Sequence, residues 1–240
     1  MSPQIKGLEP GSSAQRGGLN HQAIEDYLKT IFNLAQDESP VTTSRIAAAR
    51  DVKPASATGM IQRLAKLNLA DYEKHRGVTL TPAGERIALE VIRHHRLLEA
   101  YLIEALGFSW DEVHEQADIL EHVISEKLEQ RIAEALDHPQ FDPHGDPIPA
   151  KDGSMPILEH ESLSNVAVGT AVRVSRITDD ENSELLRYLA DLGLVPGALV
   201  TVVHLAPFDG PLTISVGDQE RIIGHNVARA ILVEIADGEH

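Results

Sequence analysis

The stretch VTTSRIAAARDVKPASATGMIQRLAKLNLADY, residues 41–72, decides the fold of the N-terminal half. Thr43 or Ser44 can cap a short helix running to Arg50, because a hydroxyl accepts a hydrogen bond from a free N–H of the first helical turn. DVKP then breaks that helix, since proline has no amide hydrogen and excludes helical backbone from the residue before it. The second helix carries Met60, Ile61, Leu64 and Leu67 as its apolar stripe. Two short helices joined by a tight turn form a helix-turn-helix. The continuation LADYEKHRGVTLTPAGE reads as a strand, a glycine-containing turn at His75 to Gly77, a second strand, and a cap at Thr81 with Pro82 in the first helical turn. A hairpin placed directly after a helix-turn-helix makes a wing.

On the N-terminal side, NHQAIEDYLKTIFNLA is a helix by the spacing of Ile24, Leu28, Ile31 and Leu34, with Asn20 as its cap. Residues 1–19, rich in Gly, Ser and Pro, hold too little apolar surface to fold and are expected to be disordered. A winged helix-turn-helix DNA-binding domain is thus expected over residues 20–82. Two long amphipathic helices follow, AGERIALEVIRHHRLLEAYLIEALG and WDEVHEQADILEHVISEKLEQRIAEAL, expected to form a helical metal-binding and dimerisation domain over residues 83–138. Residues 139–162, with Pro139, Pro143, Pro147, Pro149 and Pro156, form a linker. Beyond it the pattern turns to short apolar strands, TAVRVSRI, ALVTVVHLA, LTISV, QERIIG and ARAILVEI, with SELLRYLADLG as one helix among them. Five such strands predict an SH3-like β-barrel over residues 163–236. The fold class is therefore a mainly α N-terminal half followed by a small SH3-like β-barrel.

The 240 residues are 42% hydrophobic and 24% charged, enough to bury a core in each of several small domains. No apolar run approaches a membrane span, and the N-terminus lacks a secretory apolar stretch, so a cytoplasmic protein is expected. With no cysteine there are no disulfides or thiolate sites, so any metal must be held by oxygen and imidazole nitrogen. The net charge of -16 disfavours non-specific polyanion binding. Yet between positions 43 and 76 the basic residues Arg45, Arg50, Lys53, Arg63, Lys66, Lys74 and Arg76 face only Asp51, Asp71 and Glu73, a basic island in an acidic chain.

VHEQADILEH, residues 113–122, places His114, Asp118, Glu121 and His122 at i, i+4, i+7 and i+8, one face of a continuous helix. Carboxylates and neutral imidazoles projecting together are the ligand set of a divalent cation, which relieves repulsion among the acids. The alternative is a solvated acidic face, with Val113, Ala117, Leu120, Val123 and Ile124 providing the packing surface. His94 and His95 point about 100° apart on their helix, so at most one joins a given site; His95, with Glu99 at i+4, is the better candidate. His138, His144 and His160 in the linker are expected to face solvent, and Phe108 and Trp110 to pack between the two long helices.

The order of winged helix, acid- and histidine-bearing helices, proline strap and small barrel resembles the diphtheria-toxin-repressor family of metal-dependent transcriptional regulators. The resemblance rests on EDYLKTI in the first helix, HRLLE at 95–99, VHEQADILEH at 113–122 and GDPIP at 145–149, and covers the chain from about residue 20. It implies a homodimer that binds palindromic double-stranded operators when a divalent metal is bound, and that represses metal uptake genes. Matched by motif, Asp26, Asp118, Glu121 and His122 correspond to the primary, activating site, with the Asp118 carbonyl as a further donor. His95, Glu99 and His114 correspond to the ancillary site. RITDDENSELL aligns Asp179 and either Glu181 or Asn182 with ligands from the third domain. Iron-responsive members carry methionine and cysteine where this chain has Asp26 and Asp118, whereas manganese-responsive members carry carboxylates. Hard oxygen ligands without sulfur favour Mn²⁺, with Fe²⁺ as the alternative. Two-domain manganese regulators also place a carboxylate where this chain has Lys29 and lack the barrel, so the chain combines a three-domain architecture with a manganese-type primary site.

For DNA, the helix from Ala55 to about Lys66 is expected in the major groove with its N-terminal residues nearest the bases. Lys53, Ser56, Thr58 and Arg63 can reach phosphates, while Ala55, Ala57 and Gly59 present a smooth face suited to thymine methyl groups. Arg45, Lys74 and Arg76 complete the expected contact set. So poor a base readout leaves specificity to half-site spacing and DNA shape. The alternatives are a winged helix used for protein contacts, a di-metal oxidase, and a metal-independent adaptor whose barrel binds a peptide. The oxidase needs paired Glu-x-x-His motifs on facing helices, whereas Glu121 and His122 are adjacent, and no nucleophile stands apart from the candidate ligands. Neither an enzymatic activity nor a small-molecule substrate is expected.

Overall fold

The computed structural model describes residues 12–156 and 160–236, with side chains from His21 onward. The chain forms two compact units, Met1–Val91 and Ile92–His240. In the first, α1 (Ser12–Ala35) precedes α2 (Thr43–Ala49) and α3 (Pro54–Lys66), and the wing follows as β1 (Ala70–Glu73) and β2 (Gly77–Leu80). α4 (Pro82–Leu106) contains the division between the units.

The helix-turn-helix forms as its residues dictate, with one change of cap. Thr42, one residue before the expected candidates, accepts from Arg45 N through its side chain and starts α2. Lys53 and Pro54 open α3, the proline filling the first position, where no amide hydrogen is needed. The wing pairs Ala70 with Leu80 and Glu73 with Gly77, turning through His75 (φ 71°) and Gly77 (φ 126°). An alanine Cβ at Gly77 would lie 2.5 Å from the Val41 carbonyl oxygen, so the backbone approach that bridges Val41 to Val78 requires glycine. Leu28, Ile31, Val41, Ile46, Ala57, Ile61, Leu64 and Val78 are all buried. Ala57 therefore belongs to the core and not to the DNA-facing surface: it lies four residues before Ile61 on the inner face of α3.

α1 starts earlier than the sequence spacing indicates, at Ser12, which leaves Asn20 inside the helix and not at its cap. Ser12 to Asn20 contain no proline, and helical backbone passes through Gly17 and Gly18 although they weaken it. Residues 1–11 of the segment expected to be disordered lie outside the described residues.

In the second unit, the helix expected over residues 110–136 is broken in two, α5 (Val113–Leu120) and α6 (Glu126–Ala135). Ser125 takes an extended conformation and caps α6 by accepting from Leu128 N, while Val123 N and Ile124 N both donate to the Leu120 carbonyl, tightening the end of α5. Glu121 and His122 thus sit in a turn and not on a helix face. Leu97, Leu98, Ala117, Ile132, Ala133 and Ile148 close the helical core, the last residue coming from the strap.

The remainder is a six-stranded antiparallel sheet of order β3-β8-β4-β5-β6-β7. Its strands are β3 (Glu161–Ser162), β4 (Ala171–Ile177), β5 (Leu199–Leu205), β6 (Leu212–Val216), β7 (Gln219–Ile223) and β8 (Ile231–Ile235). α7 (Ser183–Leu192) covers the core and ends on Gly193 in the left-handed conformation. The last strand is shorter than its sequence implies, because residues from His225 to Ala230 form α8 and alternation begins only at Ile231. β3, two residues long, has too short a pattern to read. A bulge between Val174 and Arg176 shifts the register of β4, so that Val172, Val174 and Ile177 all point inward.

That bulge docks the strap. Ile177 N donates to the His144 carbonyl at 2.9 Å, and Arg176 Nη2 lies 2.7 Å from Asp146 Oδ1. Gly145, at φ 89°, passes so close that an added Cβ would lie 1.9 Å from the Ser175 carbonyl oxygen. The strap is thereby pressed onto β4, with Asp142, His144 and Asp146 buried.

Candidate metal centre

α4 presents His95 and Glu99 one turn apart, both buried. His95 Nδ1 lies 2.6 Å from Glu121 Oε2 and 3.3 Å from Asp118 Oδ1; its Nε2 lies 2.9 Å from Glu99 Oε1 and 3.1 Å from His114 Nδ1. His114 Nδ1 in turn lies 3.2 Å from Glu99 Oε1, and its Nε2 lies 3.6 Å from Asp118 Oδ2. His122 Nε2 is 3.4 Å from Glu121 Oε1. The break after α5 is what lets Glu121 turn inward to 2% exposure. His94 lies apart from this group, with Nδ1 3.2 Å from the Glu121 carbonyl and Nε2 3.9 Å from Glu129 Oε2.

His95, His114 and Asp118 form one group whose ligand atoms lie within 4.8 Å of one another. Glu99, Asp142 and His144 form a second, wholly buried one. In the second group Glu99 Oε2, Asp142 Oδ2 and His144 Nδ1 are buried without hydrogen-bond partners; His144 Nδ1 stands 3.8 Å from Glu99 Oε2, and Arg96 Nε stands 3.6 Å from Asp142 Oδ2, both beyond hydrogen-bond length. Buried polar atoms are nearly always satisfied. Two carboxylate oxygens and an imidazole nitrogen left facing one another fit a divalent cation. Glu99 joins both groups, offering one oxygen to each.

Electrostatics reflect the crowding. Burial pushes the Glu99 carboxyl up, but the charge of His95 and hydrogen bonds with the surrounding imidazoles outweigh it and hold the group well below the usual carboxylate range. Asp142 is pushed up to about 8 by burial and by the charges of Asp146 and Glu99, against Arg96 and His144. His144 is lowered by burial but raised on balance to about 9, chiefly by Glu99 and then by Asp142. A cation would exchange these protons for its own charge.

His144 and Asp142 are residues that sequence reasoning missed. His144 is fully buried, not solvent-facing: its Nε2 lies 2.8 Å from the Trp110 carbonyl, and its ring stacks on Trp110 with centroids 5.5 Å apart. Trp110 packs against the core of the sheet domain and not between the long helices. His160 is half-buried, with Nδ1 2.9 Å from Ser175 Oγ, while His138 is exposed as expected. The legible signal was the alternation of Asp142, His144 and Asp146 among prolines, an unusual density of ionisable groups in a strap. Asp179 and Asn182, aligned as third-domain ligands, are exposed and bonded to each other at 3.2 Å, and Asn182 caps α7. Asp180 between them is partly buried, and burial with the charges of Asp146 and Glu99 raises its pKa, against His114 and His144.

Asp26 lies on α1 of the first unit, where Arg50 Nη2 donates to its Oδ2 at 2.8 Å. The proposed DNA-contacting residues are also placed there. Lys53, Ala55, Ser56, Gly59 and Lys74 are exposed and Thr58 and Arg63 partly so. Arg45 is partly neutralised by Asp37 at 3.1 Å and Glu38 at 3.3 Å, and Arg76 pairs with Glu73 at 2.8 Å. The island is less positive than its sequence suggests, because acids from outside residues 43–76 fold against it.

The chain matches three consecutive family models: the iron dependent repressor N-terminal DNA binding domain over residues 21–78, the iron dependent repressor metal binding and dimerisation domain over residues 81–150, and the FeoA domain over residues 161–235. The iron-dependent repressor IdeR of Mycobacterium leprae (strain TN) is 31% identical over 221 residues, which cover 88% of this chain and 96% of that protein. The HTH-type transcriptional regulator MntR of Oceanobacillus iheyensis is 35% identical over 116 residues, 48% of this chain and 78% of that protein. Among solved structures, a manganese-dependent transcriptional repressor in complex with manganese superposes with a TM-score of 0.80 at 37% identity, covering 89% of this chain and all of that one. The chain belongs to the iron-dependent repressor family of metal-dependent transcriptional repressors. IdeR and the solved manganese-dependent relative are named as repressors and MntR as a transcriptional regulator, and among the described residues no helix is long and apolar enough to cross a membrane.

Proposed function

We propose that this protein is a manganese-activated repressor that binds a palindromic operator as a homodimer and controls metal uptake genes in the cytoplasm. The observation that carries the metal assignment is the buried set of oxygen and imidazole atoms without hydrogen-bond partners at Glu99, Asp142 and His144, in a chain without cysteine. Manganese binds weakly in competition with later metals, and a hard donor set is how a site retains it. The solved relative named as complexed with manganese supports the same choice, whereas the relatives named iron-dependent keep Fe²⁺ as the second reading.

Asp118, Glu121, His122 and, by resemblance, Asp26 serve as the activating ligands. His95, Glu99 and His114 hold the ancillary position, with Asp142 and His144 adding donors from the strap. Arg63, Lys53, Ser56 and Thr58 on α3, with Lys74 in the wing, contact phosphates, and Ala55 and Gly59 lie against bases. A bound divalent ion supplies the positive charge that lets these carboxylates sit together. Glu99 then links the two groups, because its oxygens face different imidazoles.

An operator gel shift titrated with Mn²⁺ and, anaerobically, with Fe²⁺ tests the reading. Binding should require metal, fall steeply with salt, and respond to Mn²⁺. The Glu99→Gln protein should lose about 100-fold or more in metal affinity, since even outer-shell partners cost about 10–100-fold. Equal operator binding in chelator and in manganese would refute the proposal. Activation by Fe²⁺ alone would transfer it to iron.

A further inference from the structure

Asp26 enters the proposed function as a metal ligand, yet in the first unit its carboxylate already has a cation. Arg50 Nη2 donates to Asp26 Oδ2 at 2.8 Å, and the same guanidinium stands over the Tyr27 ring, 5.8 Å from its centroid. Arg50 is the C-cap residue of α2, so the ion pair ties α1 to the first helix of the helix-turn-helix. The side chains are 34% and 21% exposed, so solvent screens the pair without abolishing it. Arginine stays charged at any physiological pH, so this cation is not lost by titration. A metal that takes Asp26 Oδ2, alone or together with Oδ1, must displace the guanidinium that holds it.

We propose that Arg50 is a built-in competitor of the metal and sets the concentration at which the sensor responds. In the metal-free protein it neutralises Asp26, and the metal must take the carboxylate from it. The Tyr27 face retains the guanidinium after the exchange, so the arginine keeps a favourable partner in both states. The proposal rests on the reading of Asp26 as a ligand. It makes an expectation opposite to that of an ordinary structural ion pair: deleting Arg50 tightens metal binding, whereas deleting a residue that merely orients Asp26 weakens it.

The test measures free Mn²⁺ by electron paramagnetic resonance during titration of the full-length wild type, Arg50→Gln, Asp26→Asn and the double variant, with thermal melts in chelator to confirm folding. Arg50→Gln should bind Mn²⁺ about fivefold more tightly than wild type, the scale of a partly exposed ion pair. That gain should vanish when Asp26 is already asparagine. Arg50→Lys, which keeps a charge but loses the planar fork, should give a smaller gain and serves if Arg50→Gln is unfolded. If Asp26→Asn weakens binding while the folded Arg50 variants bind as wild type or worse, Asp26 is a ligand but Arg50 is no competitor, and the proposal falls alone. If Asp26→Asn binds Mn²⁺ like the wild type, the ligand reading fails and takes the proposal with it.

Discussion

Leu28, Ile31, Ile46, Ile61 and Leu64 fill the interior of the unit Met1–Val91, while in the unit Ile92–His240 residues as hydrophilic as Glu99, Glu121, Asp142, His144 and Asp146 are buried to 2% exposure or less, apart from Asp142 at 6%. Among the described residues every buried carboxylate or imidazole side chain belongs to the second unit. Burying a charge without a partner costs several kcal/mol or drives the group to neutrality, on the order estimated for isolated ions. The first unit avoids that cost and is a conventional DNA-binding module. The second accepts it and offsets only part of it, through the ion pairs of Arg93 with Glu129 at 2.6 Å and Arg96 with Asp146 at 2.8 Å. The proposed metal site rests on the part that remains unsatisfied at Glu99, Asp142 and His144.

Three perturbations sharpen or break this contrast. The largest is Leu64→Ala. Leu64 is fully buried in the apolar core, and the cavity should cost about 2–5 kcal/mol in urea unfolding. Manganese affinity of the protein that remains folded should be unchanged at Glu99, Asp142 and His144; a parallel fall in affinity would show that the core and the ligand cluster are not separate in energy.

Gly145→Ala comes next. A side chain at φ 89° whose Cβ overlaps the Ser175 carbonyl must lift the strap from β4, at about 1–3 kcal/mol for the backbone strain alone. Because His144 and Asp142 ride on that strap, metal binding should fall together with stability. Retention of wild-type manganese binding would separate the strap from the site.

The smallest effect is expected from acid. Burial raises the Asp111 carboxyl, but hydrogen bonds from Ser109 and Arg187, the latter at 2.9 Å, lower it on balance. A depressed folded-state pKa stabilises above the unfolded value near 3.8 and is lost as pH falls through the folded value. Asp111→Asn should therefore remove a modest, salt-sensitive part of the stability at neutral pH and flatten the melting profile below pH 4. A variant whose acid profile matches the wild type would show that the pair contributes nothing.

The helix-turn-helix, the wing and the helix among the later strands were legible because each rests on local chemistry: a proline at a break, glycine at a left-handed turn, apolar residues at helical spacing. Where that local grammar was thin the reading slipped. The polar run from Ser12 to Asn20 offered no apolar periodicity to mark a helix, and Ala228 looked like the start of a strand because its neighbours are apolar on one side only. The break at residues 121–125 was hidden because Glu121 and His122 continue the helical spacing of His114 and Asp118 so well; Ser125, a competent cap, was the clue against it.

By itself the sequence determined the order of the domains, the winged helix and the cysteine-free donor chemistry, and HRLLE and VHEQADILEH hold the His95, His114 and Asp118 side chains that the fold brings together. Only the tertiary structure decided that Asp142 and His144 group with Glu99. It also decided that Asp26 meets Arg50. The physical reason is sequence separation: Glu99 and His144 are 45 positions apart, and no periodicity links a helix to a strap pressed onto a bulged strand. Local propensity specifies which elements form, but whether a histidine faces water or a carboxylate depends on the packing of segments that cannot sense each other until the chain has closed.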